Sequence, residues 1–194
     1  MSQPAESLPA LRFVHASDFH LEQPLGGVSE VPPHLRDLFL DAPYQAAEQV
    51  FDTAVTEAAD ALLLAGDIVD FQNVAPRAVV FLTEQFQRLA RHDIRVYWAS
   101  GAADPANSWP SSCELPENVH IFAVDRVETI DHFRDGEQVA TIQGISRSEE
   151  GEFVEDGFHR DAHGHFTVGV AYHTGASRGT EGDLVHYMAL GGQH

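Results

Sequence analysis

Short apolar runs alternate with stretches of helical period through the first half of the chain. "LRFVHAS" (11–17) is apolar and β-rich and ends at Asp18. After a Pro-rich loop, residues 41–62 carry Ala47, Val50, Phe51, Ala54, Val55 and Ala58 on one helical face, which predicts an amphipathic helix. "ADALLLAGD" (59–67) then reads as a short buried strand ending at Gly66-Asp67. Residues 76–92 predict a second helix, with Pro76 in its first turn. "IRVYWAS" (94–100) predicts a third strand. A β-α-β-α-β order with compact connections is the signature of a parallel sheet.

The second half changes character. "NVHIFA", "RVETID", "QVATIQGI" and "FTVGVAYH" read as strands without long helices between them, and "DLVHYMALGGQH" ends the chain. These strands are expected to form a second sheet packed on the first, giving an α/β layered sandwich. Residues 146–164 are polar and Gly-containing, a loop or a marginal helix. No internal repeat, low-complexity tract or linker divides the chain. Residues 1–10 read as a disordered tail and 11–194 as one domain.

The 194 residues suffice for one core. No window approaches ~20 apolar residues, so no membrane span is expected. The first ten residues have neither a basic head nor an apolar run and do not read as a signal peptide. Cys113 is the lone cysteine and has no internal disulfide partner. Together these features point to the cytoplasm.

Charge changes the picture. There are 30 acidic residues against 11 basic ones, a formal charge of -19. All the basic residues are Arg. A field of that sign repels nucleic acid at long range. It is equally a solubility adaptation to high salt, where that repulsion is screened. Acidity alone does not decide between the two.

The residues with chemistry fall at strand ends. Asp18 and His20 follow the first strand, Asp67 and Asp70 the second, Asp104 the third. His173 closes "VGVAY" and His194 follows "YMAL". Strand ends on one edge of a parallel sheet converge in space. Converging Asp and His would offer a mixed oxygen and nitrogen shell, suited to Mn, Fe or Zn. Each residue also has a plainer reading. An Asp after a strand is a common turn former, and a lone His is commonly a surface or hydrogen-bonded residue. "HRDAHGHF" gathers His159, His163 and His165, where a polar turn before a strand is the simpler account than a metal site. Trp109 fits substrate contact and buried packing equally.

"FVHASDFHLE" and "LLLAGDIVD" resemble the first two motifs of calcineurin-like metallophosphoesterases, Asp-x-His and Gly-Asp-x-x-Asp. The wording is nearest the DNA-repair exonuclease branch, the SbcD and YhaO type, and "AYHTG" and "HYMALGGQH" are similar to its later motifs. The resemblance runs from about residue 11 to the end. It implies a layered sandwich of two mixed β-sheets flanked by helices. It also implies two metals bridged by the Asp of the second motif, a phosphodiester or DNA substrate, and an ATPase of the SMC type as partner. Carried over by position, Asp18, His20, Asp67 and His194 would hold the first metal. The second would take Asp67, position 102, His173 and position 192. Asp70 and Asp104 would support these ligands from behind.

The chain departs from that pattern at the second metal. "Gly-Ala-Ala-Asp" (101–104) stands where the family has "Gly-Asn-His-Asp". Ala102 replaces a ligand, Ala103 replaces the His that protonates the leaving oxygen or stabilises the transition state, and Gly192 replaces a further ligand. Asp104, which would orient the missing His, has lost its client. Glu22 stands where a Gly is common, narrowing the entrance. The family's exonucleases continue well past the last motif, whereas this sequence ends on His194, which leaves two readings, a short gene or a sequence that lacks a C-terminal portion. The expectation is a degenerate phosphoesterase with one divalent transition metal, weak or no hydrolysis and a binding or regulatory role. The alternatives are an active phosphodiesterase, and a structural protein whose Asp and His are relics.

Overall fold

Two four-stranded sheets lie face to face, with two helices on the outer side of the first. The computed structural model describes residues 10–23, 31–72, 76–148, 157–173 and 184–192. The expected tail lies outside these, apart from Ala10, whose carbonyl accepts from Arg134 at 3.2 Å.

The first sheet holds β1 (Phe13–Ala16), β2 (Ala61–Ala65), β3 (Arg95–Ala99) and β4 (Val119–Ile121) in sequence order, parallel throughout. Helix α1 (Arg36–Thr56) joins β1 to β2, and α2 (Pro76–Ala90) joins β2 to β3. Successive crossovers of one hand, stepping in one direction, put both helices on the same face. The side chains show it. Leu62, Leu64, Val96 and Trp98 point to the helices and meet Phe51, Leu82 and Phe86. Ala61, Leu63, Ala65, Tyr97 and Ala99 point the other way, into the second sheet. With both faces covered, β2 is buried along its whole length, which is why it reads as an unbroken apolar run.

The second sheet holds β5 (Glu128–Arg134), β6 (Glu137–Ile145), β7 (Phe166–Tyr172) and β8 (Tyr187–Gly191). β5 and β6 form a hairpin closed by Asp135 (φ 55°) and Gly136 (φ 82°), the left-handed pair that a tight hairpin turn requires. β6, β7 and β8 are mutually parallel. Mixed pairing, expected in both sheets, is therefore confined to the second.

One helix boundary differs from the expectation. α1 begins at Arg36, after a 3-10 turn over Pro33–Leu35, and carries Pro43 inside it. Pro43 forfeits one main-chain bond, and burial of Tyr44, Ala47, Phe51 and Ala54 outweighs a cost of about 3 kcal/mol. No helix among the described residues is long and apolar enough to cross a membrane.

Candidate metal centre

The carboxyl ends of β1, β2 and β3 meet those of β7 and β8, and the polar residues cluster there. The loops after β1 and β2 are laced together by main-chain bonds. Asp18 N–H donates to Gly66 O (3.0 Å), His20 N–H to Asp67 O (2.9 Å) and Leu21 N–H to Ile68 O (3.1 Å). Asp70 N–H returns to Leu21 O at 2.9 Å. The lacing fixes an unusual backbone. Asp18 (φ 58°), His20 (φ 46°), Glu22 (φ 73°) and Asp67 (φ 53°) all lie in the left-handed region. Few non-Gly residues adopt it, and those that do gather at functional sites. Glu22 thus occupies a position where a Gly would sit without strain. Its carboxylate is held by the Tyr44 hydroxyl.

Asp18, His20 and Asp67 offer ligand atoms that lie within 4.8 Å of one another. His20 Nε2 is 3.9 Å from both Asp18 Oδ1 and Asp67 Oδ2. Asp67 is buried, at 4% exposure. Two carboxylates and an imidazole converging on one point fit a divalent transition ion. These three residues would hold it.

Main-chain and hydroxyl donors orient the carboxylates. Gly192 N–H reaches Asp18 Oδ1 and Oδ2 at 3.2 and 3.1 Å. Ala103 N–H donates to Asp67 Oδ1 at 2.7 Å, and the Tyr172 hydroxyl donates to Asp67 Oδ2 at 2.7 Å. Burial first, and then the bond to Asp67, push the Tyr172 hydroxyl above its ordinary pKa.

Asp104 is buried behind the site and is far from idle. It accepts from the main-chain N–H groups of Asp67 (2.9 Å), Ile68 (3.1 Å) and Gly101 (2.6 Å), and from the Trp98 indole (2.9 Å). The client lost with the absent imidazole is replaced by the backbone of two motif loops. Burial pushes its carboxyl up to about 7, against the four donors, which favour the ionised form. Asp70 serves its own turn, accepting Gln72 N–H at 2.9 Å.

His173 follows β7, and its main-chain N–H donates to Gly191 O at 3.0 Å. It is not part of the three-residue ligand cluster. His194 lies outside the described residues. The His159–His165 stretch is a turn built on Asp161, whose Oδ2 accepts the N–H of His163 (2.9 Å) and His165 (3.1 Å). Trp109 packs edge-on against Trp98 and Phe71 and donates to Cys113 O at 2.7 Å. Tyr172, which sequence reasoning passed over, is the residue that touches Asp67 directly. The only signal for it was its place immediately before His173.

Two facing sheets, helices on the first, and an Asp-His-Asp cluster at the strand ends fit the metallophosphoesterase fold and its metal centre. The chain matches the calcineurin-like phosphoesterase family over residues 11–187 and belongs to it. It is also 37% identical over 139 residues to the "Uncharacterized metallophosphoesterase YhaO" of Bacillus subtilis (strain 168). That alignment covers 72% of this chain and 34% of the relative, so the chain spans about a third of the relative's length.

Proposed function

We propose that this chain holds one divalent transition ion, of the Mn, Fe or Zn kind, between Asp18, His20 and Asp67. In this reading it hydrolyses phosphodiesters weakly or not at all, and acts in the cytoplasm as a binding or regulatory subunit of the SbcD exonuclease type. The observation that carries it is the loop after β3. Ala102 and Ala103 offer Asp67 only a main-chain N–H, where hydrolysis needs a proton donor for the leaving oxygen.

A divalent ion in the triad would supply Lewis acidity to a phosphoryl oxygen and to an attacking water. The chain's own residues do the positioning. Ala103 N–H and the Tyr172 hydroxyl fix the two oxygens of Asp67, and Gly192 N–H fixes Asp18. These contacts hold the carboxylates in place for the ion through which a phosphodiester would bind. A net charge of -19 disfavours long DNA at low salt, so a short phosphodiester or an SMC-type ATPase is the partner to test first.

A second reading, an active phosphodiesterase, draws on the intact Asp18-His20-Asp67 triad. An assay of an aryl phosphodiester and of linear DNA with Mn decides between them. Turnover at background level in the wild type, with Mn bound, supports the proposal. Robust turnover that vanishes in Asp67→Ala overturns it in favour of the active enzyme.

A further inference from the structure

Asp67 Oδ2 faces two ways. On one side lies His20 Nε2 at 3.9 Å, the direction of the ligand cluster. On the other, the Tyr172 hydroxyl donates to the same oxygen at 2.7 Å. A carboxylate oxygen has two lone pairs. On Oδ2 one is taken by the phenol, which leaves one for an ion held by Asp18 and His20, while Oδ1 accepts Ala103 N–H.

The space around that phenol is shaped for it. Tyr172 is buried, at 8% exposure, and its ring lies against three glycines from three loops. A Cβ at Gly66 or Gly101 would come to 2.5 or 2.8 Å of Tyr172 Cδ2, and one at Gly192 to 2.7 Å of Cε2. All three contacts are closer than real Cβ atoms make. Gly66 and Gly101 flank the Asp67 and Ala103 loops, and Gly192 caps Asp18. The loops that build the triad are thus also the walls of a slot filled by one aromatic ring.

We propose that Tyr172 is the positioning residue that limits this centre to a single ion. Its hydroxyl occupies the lone pair through which Asp67 Oδ2 would bridge to a second cation, and its ring, packed on Gly101 and Gly192, fills the space beside positions 102 and 192 where the absent ligands would stand. The assignment rests on the one-ion reading above. It adds that the missing ligands at 102 and 192 are not sufficient to explain that number. Returning a ligand while Tyr172 stays in place does not create a second site.

The experiment counts Mn per folded chain, by elemental analysis after gel filtration in Mn buffer, in the wild type, Ala102→Asn, and Tyr172→Leu/Ala102→Asn/Gly192→His. Circular dichroism and a melting curve establish folding in each. The expected counts are one, one and two. Two ions in Ala102→Asn overturn the proposal, and this arm leaves the Tyr172 packing untouched. One ion in a folded Tyr172→Leu/Ala102→Asn/Gly192→His, where both absent ligands are returned, overturns it as well. The one-ion reading fails in a different place, in the wild type, if that protein holds none or two.

Discussion

The main-chain N–H of Ala103 donates to Asp67 Oδ1 over 2.7 Å, although the two residues are 36 apart in sequence. The loop with only methyl side chains at 102 and 103 still clamps the central carboxylate through its backbone. Orientation of Asp67 is therefore independent of what side chain stands at 103, and the effect of changing each can be separated.

Asp67→Asn is expected to keep the fold and lose the metal. Its amide oxygen can still accept Ala103 N–H, and its amide N–H₂ can donate to Tyr172 Oη. The charge that holds a cation is gone. The fall in Mn affinity should exceed the ~10–100-fold that follows loss of an outer partner. Calorimetric titration checks it, and unchanged affinity would remove Asp67 from the site.

Metal should stabilise the protein. Asp18 and Asp67 place two carboxylates within reach of one another, and an ion that binds only the folded state contributes by mass action. At 100 times its Kd that is roughly 2.7 kcal/mol. For a chain of this size it corresponds to a rise in Tm of about 5–10 °C. Excess EDTA should reverse the shift. A Tm indifferent to both would count against the triad as a metal centre.

Much of this was legible before the structure. The unbroken apolar run of β2 and the 3.6-residue spacing of Phe51 and Ala54 carry their own reasons, since both follow from what each face is buried against. Asp18, His20 and Asp67 stood out because each follows an apolar strand, and parallel strands bring such ends together. The start of α1 was not legible, because Pro43 normally opens a helix and here sits inside one. Nor was the contact of Tyr172 with Asp67, which spans 105 residues and depends on three glycines being small. The sequence motif pairs Asp104 with an imidazole at 103, where this chain has Ala. Its four donors come mainly from backbone, which leaves no mark in residue type.

Asp104→Asn should be costly despite its matching shape. The carboxylate accepts four donors, and an amide offers one oxygen in place of two. Stranded buried N–H groups cost ~1–3 kcal/mol each. A loss of at least ~3 kcal/mol in urea unfolding is expected. A change below ~0.5 kcal/mol, the range of an ordinary surface substitution, would show that Asp104 does not organise the loops.

Acid should weaken the fold through His132. This residue is buried on β5, with Tyr97 Oη 2.9 Å from its Nδ1. Burial holds its pKa below the ordinary 6.5, with Arg95 and Arg134 lowering it further and Asp60 opposing. The unfolded chain then takes up the proton first. The contribution is present above pH 6.5 and is lost as pH falls from there toward the folded-state value. His132→Gln should flatten the dependence of Tm on pH over that window. A wild-type slope that survives intact in the variant would assign it elsewhere.

The last prediction concerns rebuilding activity. Returning the absent groups by Ala102→Asn, Ala103→His and Gly192→His is the obvious route, and the structure says why it should fail. Gly192 has φ 84°, but a left-handed His costs only about 1–2 kcal/mol. The larger obstacle is the Tyr172 ring, 2.7 Å from a Cβ at that position. Adding Tyr172→Leu removes the ring and releases Asp67 Oδ2. The quadruple variant is therefore expected to gain Mn-dependent phosphodiesterase activity where the triple does not. An imidazole able to act as general acid contributes ~10²–10⁴ in rate, about 3–5 kcal/mol of barrier. The gain over wild type should reach at least ~100-fold, since acid and metal act together and their effects do not simply add. Equal activity in triple and quadruple variants would show that Tyr172 does not obstruct the site. Activity in neither, with two ions bound in the quadruple, would show that the residues of this chain do not suffice for hydrolysis.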